Sequence, residues 1–240
     1  MLARIALRIA AIEALKGRTL VGDNVLDSQI GAIDVAADDS LRTDQERPFI
    51  AVYVDGSVIE ERIDLRGLHK SGRTELTIEA GITAAMTETD PETGESTVIG
   101  IGIPATDPAL ELYLDCVGRE IAMALSDPGN GWAEIWRGLS SSILKIERKR
   151  TSDAASGTRI AAHQLVITLD LLPDPVFGAP IAPTSAWAAF FAKMEDADHP
   201  FLVKLLELVG EDAAPSEVDI TRRRFGLTLY EARALFIPEP

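Results

Sequence analysis

The sequence predicts an α+β fold: a mainly antiparallel sheet with helices packed on one face, followed by a C-terminal extension with short helices. Three observations carry this reading. In residues 74–82, Leu76, Ile78, Ala80 and Ile82 alternate with Glu75, Thr77 and Glu79, the pattern of a strand with one dry and one wet face. A parallel sheet sandwiched by helices would be apolar at both parities. Residues 110–125 repeat Leu110, Leu114, Val117, Ile121 and Leu125 at helical spacing. After Leu172 the character changes to prolines and short helical patterns, so the chain divides into residues 1–171 and an extension, 172–240.

The elements follow in order. Between Met1 and Arg18, Leu2, Ile5, Ile9 and Ile12 form one helical stripe while Arg4 and Arg8 share another face. A packed amphipathic helix fits this segment better than a transit peptide or a membrane-surface helix. Arg8 and Glu13 break any apolar run of signal-peptide length, and no small-residue cleavage site follows. Residues 19–27 hold a short strand. A polar stretch, 42–47, leads into a strand from Pro48 to Val54 closed by the turn dipeptide Asp55-Gly56. A charged segment from Glu60 to Lys70 precedes the alternating strand, and Thr87–Gly102 reads as an exposed hairpin or loop insertion.

Asp107-Pro108 supplies an N-cap and a first-turn proline for the helix that runs to the stop Asp127-Pro128-Gly129. Two long strands, 142–151 and 159–171, form a hairpin about a turn at Asp153–Gly157, with Lys145, Glu147 and Lys149 on the solvent side. The prolines at 175, 180 and 183 forbid a membrane-spanning helix through 175–192 and make that stretch a linker into a helix at Ser185. A further helix covers 199–208, and the tail from Val218 is mixed.

At 240 residues the chain can bury about 70–75% of its unfolded surface. With 46% hydrophobic and 25% charged residues and a mean hydropathy of +0.10, it has the composition of a soluble globular protein without a membrane partner. Its net charge of −15 argues against a whole-surface grip on nucleic acid. The single cysteine, Cys116, excludes an intrachain disulfide and a thiolate-rich zinc site, and its position beside a helical apolar stripe makes it a small packed side chain.

No catalytic, cofactor or metal site is legible. His69, His163 and His199 share no ligand spacing, and Asp38-Asp39 and Glu60-Glu61 read as solvated surface. Gly100-x-Gly102 lacks a third glycine and leads into Pro104. Ser140-Ser141-Ser142 has no glycine elbow to present a nucleophile. The cluster Arg222, Arg223, Arg224 and Phe225 is the candidate interface: in an acidic chain it suits the carboxylates of a neighbouring chain better than nucleic acid.

The order of elements carries a resemblance. A leading helix ends in Ala14-Leu15-Lys16-Gly17, and Val25-Leu26-Asp27-Ser28 follows. Arg47-Pro48-Phe49-Ile50-Ala51-Val52-Tyr53-Val54-Asp55 comes next, then an alternating strand, the Asp107 helix and a two-strand hairpin. Over residues 1–171 this series resembles the tail terminator (tail completion) proteins of long-tailed bacteriophages. The chain is longer than the usual small terminator, and 172–240 has no counterpart in the resemblance.

What the resemblance implies is a structural virion protein, not an enzyme, found in the tail or neck and in the host cytoplasm during assembly. Its partners would be copies of itself in a ring, a hexamer, together with the tail tube protein and the head–neck connector protein. The ring would end tube polymerisation and join tail to head, and an acidic ring would let DNA pass without specific binding. A neck, head-completion or baseplate protein of similar fold is the alternative in the same setting. An α/β enzyme or binding module with a site assembled from distant residues is the alternative outside it.

Overall fold

A computed structural model describes residues 1–28, 34–35, 41–42, 47–59, 70–89, 96–152, 159–210 and 216–235. The pairs Asp38-Asp39 and Glu60-Glu61, most of the charged 60–70 segment, His69 and the expected turn at Asp153–Gly157 lie outside the described residues. The architecture is α+β, and its main sheet is mostly antiparallel.

The first helix, α1 (Leu2–Leu15), buries ten of its fourteen residues, more than an amphipathic stripe requires. Five of them are alanines, so strands and helices approach α1 closely from several sides at once. The side chains left partly outside are Arg4, Ile5, Arg8 and Glu13. Arg8 pairs with Asp27 at 2.6 Å and Arg4 donates to the Val54 carbonyl at 3.3 Å, which fastens the half-buried flank to the strands that carry Asp27 and Val54. The N-terminus is closed from far along the chain: Asp174 accepts from the backbone N–H of Leu2 and Ala3 at 3.0 and 2.8 Å, and from the Met1 amine.

Strand β1 (Val25–Asp27) is followed by the short β2 (Asp34–Val35) and β3 (Leu41–Arg42), then by β4 (Phe49–Val58) and β5 (Arg73–Gly81). Next come β6 (Ala84–Thr89), β7 (Ser96–Gly102), α2 (Pro108–Ser126) and α3 (Gly131–Gly138). The long hairpin is β8 (Ser140–Ser152) and β9 (Arg159–Leu171). The five-stranded sheet has the order β1-β4-β5-β9-β8, with β1 parallel to β4 and the other pairs antiparallel. A second sheet has the order β2-β3-β7-β6. The segment 87–102 is thus largely one antiparallel hairpin.

Two details depart from the sequence reading. Asp55-Gly56 does not close β4: the strand runs on to Val58 through a register shift between Val54 and Gly56, a bulge that absorbs the glycine. The face opposite the helices is not uniformly wet. Ala51, Tyr53 and Thr77 on that face are buried, and two hydrogen-bonded pairs lie there: Thr77 Oγ1 donates to Asp55 Oδ2 at 2.7 Å, and Gln164 Nε2 to Glu79 Oε1 at 2.9 Å. Burial, with the Glu79 carboxylate beside it, pushes the Tyr53 hydroxyl well above its ordinary pKa. Gly81 lies opposite Phe49, whose ring occupies the space a Cβ would take.

On the helical face, α2 begins at Asp107, whose carboxylate accepts from the N–H of Ala109 and Leu110 as the sequence predicts. Its Leu114, Val117, Ile121 and Leu125 are buried, and Cys116 is half-buried. The short α3 has no counterpart in the sequence reading. Its N-cap, Asn130, is 3% exposed and serves three helices at once. The Nδ2 donates to the carbonyls of Ala14 and Ala124 at 2.9 and 3.1 Å, and Oδ1 accepts from the Ala133 N–H at 3.4 Å.

The extension contains α4 (Ala186–Asp196), α5 (Leu202–Val209), α6 (Glu217–Phe225) and α7 (Leu229–Ala234). Ser185 caps α4, where the proline-punctuated linker ends. Trp187, Phe190, Phe191 and Met194 of α4, with Leu205 and Val209 of α5, belong to the same hydrophobic core as α1 and the sheet. The change of composition at 172 therefore coincides with no gap in the packing. Among the described residues, no helix is long and apolar enough to cross a membrane.

Candidate functional site

A grouping of charged side chains lies where α2 passes over β5, β9 and β8. Ile78 and Ala80 of β5 and His163 and Leu165 of β9 share the face turned towards α2, because strand partners share a face: Ile78 pairs with Leu165 and Ala80 with His163. Arg148 and Arg150 of β8 pair with Leu165 and His163 and so share that face too. On α2, Asp115, Gly118, Arg119 and Ala122 border the same groove of about 560 Å³. Leu114, Ile121 and Leu165 give it an apolar floor.

At one end, Glu111 Oε1 is bound by Arg150 and lies 3.1 Å from His163 Nε2, while Thr106 Oγ1 donates to Oε2 at 3.2 Å. Partial burial pushes the Glu111 pKa up, but the bonds from Arg150 and Thr106 and the charges of His163 and Arg150 outweigh it and hold the carboxyl below its usual range. Glu111, Asp115 and His163 could offer a cation three atoms lying within 4.8 Å of one another. A metal ion there would compete with the Arg150 guanidinium for the same Glu111 oxygen, so this chemistry is better suited to joining β8 to the first turn of α2.

Sequence reasoning missed this grouping. His163 is 52 residues from Glu111, and no local spacing announces the pair. The parity of β8, with Arg148 and Arg150 opposite Lys145, Glu147 and Lys149, was the one available signal.

Strand β8 is also the edge of its sheet, with β9 its only partner among the described residues. Its Ile143, Leu144 and Ile146 are 48, 47 and 47% exposed, a run of apolar surface on an edge 13 residues long.

The expected interface cluster is split by α6. Arg222 pairs with Asp219 at 3.3 Å, and Arg223 donates to the Phe177 carbonyl at 2.7 Å with its guanidinium 5.0 Å above the Phe177 ring. These two arginines border a cavity of about 810 Å³ against the linker at 174–177. Arg224 and Phe225 are exposed, Phe225 to 66%, at the end that Gly226 terminates in a left-handed conformation. Ser140–Ser142 open β8 with Ser141 bonded to Asp170, and Gly100 and Gly102 lie in β7. His199 is far from His163 in the chain and accepts from the Phe201 N–H at 3.2 Å.

No protein-family model matches this chain, and no curated protein matches it either. The class defined by its geometry is therefore an α+β protein with a charged groove and an exposed apolar edge strand.

Proposed function

We propose that the chain is a structural subunit of a bacteriophage tail, a tail terminator that closes the tube as a ring of copies and joins it to the head–neck connector. The single observation that carries an assembly role is the edge of β8, where Ile143, Leu144 and Ile146 stay about half exposed on a strand edge that has no partner strand among the described residues. The order of elements that resembles the terminators gives that assembly its particular form, and an antiparallel sheet covered by helices on one face agrees with it. A catalytic role would rest on Glu111 and His163, whose shared oxygen is bound by Arg150, and this favours a structural role for the pair. The net charge of −15 suits a ring that DNA traverses without being held.

Mass photometry and negative-stain electron microscopy of the purified chain, alone and with tail tube protein, test the proposal. Closed rings of about six copies that cap tube ends are the expected result. A chain that stays monomeric in both preparations refutes it, and rings that bind the head–neck connector but never a tube end would assign the protein to the neck instead.

A further inference from the structure

The groove between α2 and β8 differs in charge from the rest of the molecule. Arg119, Arg148, Lys149 and Arg150 border it, against Asp115. Within β8 as a whole, Lys145, Arg148, Lys149 and Arg150 face the single acid Glu147, in a chain with 38 acidic and 23 basic residues. Arg150 is engaged by Glu111, and Lys149 lies 3.7 Å from Glu147. Arg119 and Arg148 are exposed and have no carboxylate partner among the described residues. The groove thus has an apolar floor between two guanidiniums without an ion-pair partner among the described residues, one on the helix and one on the strand, which suits an extended acidic segment.

The chain itself supplies such a segment. Residues 88–95 carry Glu88, Asp90, Glu92 and Glu95 and no lysine or arginine. Residues 90–95 of this segment join β6 to β7, strands of six and seven residues that pair with each other, β7 also with β3, and that pack extensively on none of α2, β8 or β9 among the described residues. At about 3.3 Å per residue such a hairpin spans roughly 20 Å, long enough to bridge to another molecule.

We infer that the groove between α2 and β8 receives the acidic β6–β7 hairpin of a second copy of this chain, with Arg119 and Arg148 gripping its carboxylates. The contact uses two different surfaces of one subunit and is therefore heterologous, the kind that generates a closed ring or an open filament. The inference rests on the ring reading for its setting, but the contact can be tested apart from it.

A fluorescein-labelled peptide of residues 84–102 is titrated into the full chain and followed by anisotropy. Binding that weakens at least about tenfold in Arg119→Glu/Arg148→Glu, and that falls with added salt, supports the contact whether or not rings form. Unchanged binding in that variant, or none to the wild type, overturns it. Assembly is read by mass photometry. Reversing the groove alone, or Glu88, Asp90 and Glu92 to lysine alone, is expected to shift assembly to higher concentration by about tenfold or more, and the combined variant to restore it. Wild-type rings that survive both reversals overturn the contact while leaving the ring intact. A chain with no rings but with reversal-sensitive peptide binding refutes the ring and keeps the contact. A double-stranded DNA 20-mer that displaces the peptide and loses affinity equally on reversal would make the groove a general polyanion site and overturn the hairpin as its occupant.

Discussion

Asn130 joins the ends of three helices, and its replacement separates two roles one side chain performs. Asn130→Ala removes the α3 cap, worth about 1 kcal/mol. It also strips the Ala14 and Ala124 carbonyls of their donor in a region where Asn130 is 3% exposed; each lost bond with its stranded acceptor costs about 1–2 kcal/mol. The sum is about 3–5 kcal/mol, which for a chain of this length lowers Tm by roughly 10 °C. Asn130→Asp is the informative partner. Aspartate caps helices as well as asparagine does, so a capping role alone predicts near-native stability. The carboxylate would instead face two carbonyl oxygens where Nδ2 now donates, and the variant is expected to be no more stable than Asn130→Ala. Urea denaturation followed by circular dichroism measures both. An aspartate variant within about 0.5 kcal/mol of wild type would refute the pinning argument.

Phe190 of α4 is fully buried, 5.3 Å from the Phe191 ring and 6.2 Å from Trp187, so Phe190→Ala should cost about 3–5 kcal/mol and lower one cooperative transition of the whole chain. A separate early transition confined to the extension in calorimetry would count against a shared core. Gly81→Ala would bring a methyl to 2.7 Å from the Phe49 ring, and a loss of about 1–3 kcal/mol is expected in thermal melts; an unchanged Tm would mean the ring moves aside freely. Glu111 has a folded pKa below its unfolded one, so its contribution is fully present above the ordinary carboxylate range, at about pH 5 and higher, and is lost as pH falls through the lowered folded value. The stability gap between wild type and Glu111→Gln should therefore shrink on acidification, and a gap that stays constant to pH 3 contradicts the Arg150 and His163 pairing.

Local chemistry was legible where the residues act within a few positions of one another. Asp107 caps α2, Leu114, Val117, Ile121 and Leu125 form its buried stripe, Ser185 starts α4, and the two long strands near 142–171 pair as a hairpin. What was not legible depends on partners distant in sequence. Nothing local distinguishes an Asp-Gly turn from the bulge at Gly56, since β5 decides whether pairing continues. The burial of Thr77 depends on Asp55 as acceptor, and the groove network joins Thr106, Glu111, Arg150 and His163 from α2 and its approach, β8 and β9. The membership of α4 and α5 in the main core was hidden because a linker rich in proline marks a change of backbone conformation, which is not a break in packing.

The Asp174 closure of α1 also bears on the order of synthesis. In α1 ten of fourteen residues are buried, and the acceptor for its leading N–H groups is synthesised about 170 residues after them. Until β4, α2 and α3 have been made, its leucines and isoleucines have no native surface to cover them. So large a separation between contacting segments slows folding and prolongs exposure of apolar surface. Production at low temperature should therefore raise the soluble yield more than any change to the finished surface.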